Sequence, residues 1–108
     1  SDLFPYPLRA MDRAEIAAEK VRAIMTRTSA RDLFDLYFLL RQQAVPDNGL
    51  IDEKLAAHKL KFNTDEFLEH ARGLEGIWQK EMAALTPNPL DFKAVFRFVK
   101  EKFQVKGK

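Results

Sequence analysis

The chain has 108 residues, 46% of them apolar and 31% charged, with a formal net charge of +2, which suits one domain with its own core and argues against disorder over most of its length. The absence of cysteine excludes disulfides, thiolate zinc sites and cysteine nucleophiles and is compatible with a reducing compartment. No apolar run approaches the ~20 residues needed to cross a bilayer and no signal-peptide pattern opens the chain, so a cytoplasmic protein with no membrane association is expected.

Residues 1–11 read as an extended, proline-spaced lead-in beginning Ser-Asp-Leu-Phe-Pro-Tyr-Pro, of the kind that joins one element to the next. With no initiator Met, the chain is read either as a fragment of something longer or as a product of methionine removal. Asp12 followed by Glu15 is a capping-box spacing, and the first helix is expected to run from there to about Arg27. With each residue turning about 100°, and Ile16 set at zero, Ala17, Val21 and Ile24 fall between about 80° and 140°. Glu15, Glu19, Arg22 and Thr26 fill the opposite side. Lys20 falls at about 40° and Arg27 at about 20°, inside the apolar arc.

Ser29 followed by Asp32 offers a second cap, starting a helix to about Gln43. Only two or so residues separate the helices, which forces a tight corner. Leu33, Phe34, Leu36, Tyr37, Phe38 and Leu40 cover most of the second helix, leaving one narrow polar sector of Arg31, Asp32, Asp35 and Gln42. A helix apolar nearly all round is normally central, and acids on it require partners.

Val45-Pro-Asp-Asn-Gly49 reads as a break, followed by a third helix over about 52–62 with Leu55, His58 and Phe62 on one side. Asn63 and Glu66 stand at capping-box spacing before Phe67, Leu68 and Ala71. Gly73 and Gly76 each weaken a helix by about 1 kcal/mol against alanine, so a bend or break is expected there. Ile77, Trp78, Met82 and Leu85 then resume the helical spacing, with Trp78 read as core. After Thr86-Pro-Asn-Pro89, a last helix carries Phe92, Val95, Phe96, Val99 and Phe103 at core spacing. No window alternates as a strand. The expectation is all-α: a single compact bundle of five or six helices over residues 12–104, with a basic tail at 105–108.

Arg97, Lys100, Lys102, Lys106 and Lys108 against Glu101 give the last twelve residues a charge of +4, leaving −2 for the rest. A basic end of this kind touches nucleic acid in some proteins, but a solvated helix face with a frayed tail accounts for it more simply. His58 and His70 have no clear third partner and are not expected to hold a metal. The short corner between the first two helices also resembles a helix-turn-helix, yet its second helix is too apolar to lie in a major groove.

The charges of the first two helices carry more information. Each has a plain explanation: the Lys20 stem can lie along the core while its ammonium reaches water, and Arg27 and Asp32 are a cation and an anion at favourable helix ends. Together they place Lys20, Arg27, Arg31, Asp32 and Asp35 on one wall, where burial is costly unless charges pair or bind something. Cations on such a wall suit a triphosphate, and an adjacent carboxylate can orient a hydroxyl, a metal-bound water or a cation. Phosphoryl or nucleotidyl transfer also requires metal-holding carboxylates, usually a close pair, and a loop that cradles phosphates. The four glycines, at 49, 73, 76 and 107, are scattered and form no such loop.

The run Glu19-Lys20, then Ala23, Arg27 and Arg31-Asp32-Leu-Phe-Asp35-Leu-Tyr-Phe-Leu, resembles the helical region that follows the catalytic core in AbiEii/AbiGii-type nucleotidyltransferase toxins of bacterial abortive-infection systems. The specific resemblance covers about residues 15–40. It implies that Lys20 contacts nucleotide phosphates and that Asp32, with Asp35 close behind it, is the acid of the later motif; with the charged wall this gives Lys20, Arg27 and Arg31 as the expected nucleotide-binding residues and Asp32 and Asp35 as the expected catalytic acids. It further implies Mg²⁺ and a nucleoside triphosphate for the complete protein, and as partners an N-terminal nucleotidyltransferase domain, a cognate antitoxin and an RNA or protein acceptor. The family's Gly-Ser motif and Asp-x-Asp metal site do not occur in this chain. The expectation is therefore a C-terminal helical domain, inactive alone, that completes an active site whose metal-binding half lies elsewhere. The competing reading is a non-enzymatic helical interaction module.

Overall fold

The computed structural model describes residues 10–104; the expectations for residues 1–9 and for the tail at 105–108 lie outside the described residues. These form six α-helices and one 3₁₀ turn with no strand among them: α1 (Ala10–Thr26), α2 (Ala30–Arg41), α3 (Asn48–Leu55), the 3₁₀ turn (Ala56–His58), α4 (Thr64–Arg72), α5 (Glu75–Ala83) and α6 (Phe92–Gln104). The all-helical bundle expected from the periodicity is what forms. α1 packs on α2, α3 and α4, while α2 packs on α1, α5 and α6. The first two helices are thus the pair around which the others assemble.

α1 buries Ala17, Ala18, Val21 and Ile24, the arc expected from the 100° turn. It begins at Ala10 rather than at Asp12, so Asp12 lies in the first turn and the Asp12–Glu15 capping box is not what starts the helix. Glu15 instead accepts a hydrogen bond from Lys54 Nζ of α3 at 2.9 Å. On α2, Leu33, Leu36, Leu39 and Leu40 are fully buried, which agrees with a helix apolar on most sides. It ends at Arg41, two residues short of Gln43. Gln43 adopts a left-handed φ of 67°, its N–H bonding Leu40 O at 2.9 Å while the N–H of Ala44 bonds Leu39 O at 3.1 Å. This is the Schellman closure, with glutamine where glycine is usual.

The third helix lies earlier than the spacing predicts. The Asp47 carboxylate accepts the Leu50 N–H at 2.8 Å, so the helix starts at once and Asn48-Gly49 becomes its first turn rather than a loop. Ile51 and Leu55 face the core, whereas His58 is exposed and Phe62 has left the helix. Lys59, at φ 59°, closes the 3₁₀ turn, and the Phe62 N–H reaches back to Asp52 Oδ1 at 2.7 Å. Phe62 packs instead with Phe67 and Phe103, at ring-centroid distances of 5.9 and 6.0 Å.

Asn63 caps α4 as expected, accepting the Glu66 N–H at 2.9 Å, and Phe67, Leu68 and Ala71 are buried. The break falls at Gly73, where α4 ends and the buried Leu74 leads into α5. On α5, Trp78 and Met82 enter the core, but Leu85 stays 44% exposed because the helix has ended two residues before it. The Trp78 indole N–H donates to Leu90 O at 2.8 Å, tying α5 to the segment that enters α6. All five apolar positions expected on α6 are buried. Burial of one such phenylalanine or valine contributes about 1.5–3 kcal/mol.

Candidate functional site

α1 and α2 meet at a corner of three residues, Arg27 to Ser29. Lys20 and Arg27 stand two turns apart on α1 and at its end, while Asp32 and Asp35 stand one turn apart on α2, so cations and acids face each other across the helix pair. The Arg27 guanidinium grips Asp32 fork to fork, with Nε 2.9 Å from Oδ2 and Nη2 3.0 Å from Oδ1. Lys20 Nζ lies 3.1 Å from Asp35 Oδ2 and 3.7 Å from Asp32 Oδ1. Arg31 Nε lies 3.6 Å from the same Asp35 oxygen. The structure therefore brings together all five charged residues that the sequence put on one wall.

Their exposures divide the roles. Asp32 and Asp35 are the buried charged residues among those described, 1% and 7% exposed. Buried carboxylates of this kind are retained only with counter-charges at hand. The side chains of Arg27 and Arg31 are more than half exposed and that of Lys20 is one quarter exposed. Arg27 does not enter the apolar arc as its angle suggests. It lies just past the last helical residue of α1, where the chain turns and the side chain folds over the helix end toward Asp32. Lys20, its side chain one quarter exposed, brings its ammonium to an edge that holds two carboxylates rather than water alone.

The hydrogen bonds to Asp32, and then its charge, hold the Arg27 guanidinium above the ordinary arginine value. Both Asp32 oxygens are engaged by Arg27. Asp35 is different: Oδ2 faces Lys20 and Arg31, while Oδ1 is buried with no hydrogen-bond partner. Three cations, Lys20, Arg27 and Arg31, surround these two acids, and a third carboxylate, that of Glu81, reaches the same corner at the Ala30 N–H. A cleft of about 370 Å³ borders Arg27 and is also lined by Thr28, Glu69 and His70.

The corner is poorly suited to hold a metal. Mg²⁺ favours six oxygen ligands at close range, whereas each carboxylate here already faces cations. No group of three or more His, Cys, Asp or Glu side chains is placed to hold a metal ion among the described residues.

One residue of this corner escaped the sequence reading. The Ser29 side chain makes no capping hydrogen bond; the Ala30 N–H is instead taken by Glu81 Oε1 of α5 at 2.8 Å. The expected Ser29–Asp32 cap does not form, and a carboxylate from another helix takes a different N–H of this helix end, that of Ala30. The available signal was weak: Glu81 borders the Trp78–Met82 face by helical angle, where an acid needs a donor. Glu81 also occupies the position at the start of α2 where an anion would otherwise sit, so phosphate contacts at this corner must come from side chains.

No curated protein and no solved structure matches the chain. A family model described as "Nucleotidyl transferase AbiEii toxin, Type IV TA system" matches residues 2–102.

Proposed function

Because the chain belongs to the AbiEii nucleotidyl transferase toxin family, we propose that it is the helical part of a nucleotidyltransferase site, supplying phosphate-binding and orienting side chains to a metal-binding half carried by a partner domain. The observation that carries this reading is the Lys20 ammonium, held 3.1 Å from Asp35 and 3.7 Å from Asp32 on a side chain one quarter exposed, with Arg27 and Arg31 on the same two acids.

In nucleotidyl transfer an acceptor hydroxyl attacks the α-phosphorus and pyrophosphate leaves, so negative charge moves onto the leaving oxygens. Fixed cations that meet this charge lower the barrier. Lys20 and Arg31 are the cations with reach, since neither is locked into a bidentate pair and both share one Asp35 oxygen. Arg27 contributes through its remaining nitrogen while its fork holds Asp32. Asp32, with both oxygens engaged, acts as the orienting acid. Asp35 has an acceptor atom to spare and is the acid of the two with a hydrogen bond still to make. Mg²⁺ would bring charge neutralisation from the partner domain; none of the steps assigned to this chain passes through it. A cognate antitoxin is the partner that a type IV toxin family suggests, and RNA or a protein side chain is the proposed acceptor class.

The test is calorimetric titration of nucleoside triphosphate with Mg²⁺ into the protein that unites this chain with its nucleotidyltransferase domain, comparing wild type with Lys20→Ala. Losing one charge-assisted phosphate contact is expected to weaken binding about tenfold or more and to depress transfer with it. Unchanged affinity together with unchanged transfer removes the assigned role.

A second reading, a non-enzymatic interaction module, is favoured by one observation. Phe34, Tyr37, Phe38 and Phe98 form a chain of edge-on rings across α2 and α6, with centroids 4.9–5.6 Å apart, and all four are only half-buried. Sedimentation of the 108-residue chain separates the readings: a stable dimer supports the module, and a clean monomer that binds triphosphate only with its catalytic partner opposes it.

A further inference from the structure

We infer that Glu81 is a positioning residue for the Arg27–Asp32 pair: by capping α2 from another helix, it leaves the Asp32 carboxylate free for the cations of the corner. The functional meaning of this inference rests on the site proposed above; its geometry does not.

A helix start leaves N–H groups without partners, and α2 has two local means of satisfying them. Ser29 can cap, and Asp32, three residues on, can reach back to the Ser29 N–H as in a capping box. Neither occurs. Ser29 is in an extended conformation with no side-chain cap, and Asp32 has both oxygens on Arg27. One N–H of this end, that of Ala30, a residue with no solvent exposure, is met instead across 51 residues of sequence by Glu81 Oε1.

Glu81 is well placed to impose a position rather than follow one. Its neighbour Met82 and the preceding turn's Trp78 are buried, and the Trp78 N–H is anchored on Leu90 O. The carboxylate therefore comes from a helix fixed by its own packing. Its charge complements the positive end of α2, and the bond is charge-assisted, about twice as strong as a neutral one. Asp32 lies two residues beyond Ala30 in the same turn. Without Glu81, the uncapped turn competes for the Asp32 carboxylate, and the fork with Arg27 loosens.

The experiment reads the fork directly, without nucleotide and without activity. Arginine side-chain Nε–H signals are followed by nuclear magnetic resonance in the wild-type chain and in Glu81→Leu, Glu81→Ala and Glu81→Gln. Leucine keeps the apolar stem but removes the acceptor, whereas glutamine keeps an oxygen at the same atom. Solvent exchange at Arg27 Nε–H is expected to quicken about tenfold in the leucine and alanine variants, as for one lost hydrogen bond to a charged group, and to stay near wild type in the glutamine variant. Unchanged exchange in Glu81→Leu, or exchange in Glu81→Gln as fast as in Glu81→Leu, overturns the inference. Should the apolar variants not fold, the scalar coupling between the Ala30 amide nitrogen and the Glu81 carboxyl carbon in wild type decides: its presence with Glu81→Gln retaining slow exchange supports the inference, and its absence overturns it. Failure of Lys20→Ala to alter nucleotide binding would leave these signals untouched, so the two ideas fail separately.

Discussion

Arg27 and Asp32 close the corner between the first two helices with a two-bond fork, Nε to Oδ2 at 2.9 Å and Nη2 to Oδ1 at 3.0 Å, the acid sealed in the interior and the guanidinium more than half exposed. The asymmetry has a consequence. Truncating the exposed partner strands a buried charge, whereas truncating the acid leaves a cation that water can solvate.

Arg27→Ala should accordingly destabilise the chain by about 2 kcal/mol, with Lys20 limiting the damage. Arg27→Lys should recover only part of that, because an ammonium cannot make the fork. A double-mutant cycle with Asp32→Ala, measured by urea unfolding, is expected to give a coupling of about 1 kcal/mol. A coupling indistinguishable from zero would show that the fork contributes geometry and no stability.

Gln43 holds the left-handed closing position of α2 at φ 67°. Gln43→Gly should raise stability by about 1 kcal/mol, since glycine adopts that conformation without a Cβ clash. Thermal unfolding checks it, and a lowered midpoint would mean that the glutamine side chain makes up for its backbone.

Gly76 lies in the first turn of α5, and a Cβ added there meets nothing within 4 Å. Gly76→Ala is predicted to stabilise by up to about 1 kcal/mol through helix propensity and a less flexible unfolded chain. Neutral or destabilising behaviour would place an unseen demand on that position.

Lys54 is held above its ordinary pKa of 10.5, first by its hydrogen bond to Glu15. A raised folded value means that the stabilisation is complete below the unfolded pKa and disappears as pH rises through the folded one. Lys54→Met should therefore be slightly less stable than wild type at neutral pH, the difference fading above pH 10.5. Unfolding curves at pH 7, 9 and 11 test the trend, and a gap that widens with pH contradicts it. Arg27 carries the same sign at a still higher value, so its fork should persist throughout this range.

Much of this molecule is decided by local periodicity. The buried arcs of α1, α2 and α6 follow from helical angles alone, because a helix fixes which residues share a face whatever packs against it, and the short corner between α1 and α2 then turns Lys20 toward Asp32 and Asp35. The Asn63 cap was equally legible, being a bond between residues three apart. The start of α3 was missed because Asn-Gly suits both a turn and a first helical turn, and the Asp47 side chain settled which. Leu85 was misjudged because its helix stops before its spacing does.

The rest belongs to tertiary structure. Arg27's angle pointed inward, but the end of α1 let the side chain swing out and return to Asp32. The free Oδ1 of Asp35 and the bond from the Ala30 N–H to Glu81 depend on which groups distant in sequence arrive at the corner. Neighbours within a turn or two set most of the helices, the faces they bury and the charges they carry, so these are read from the residues alone. Which carboxylate is closed off and which keeps an acceptor follows from how the helices pack, because hydrogen bonds are settled at about 3 Å by partners as far apart in the chain as Ala30 and Glu81.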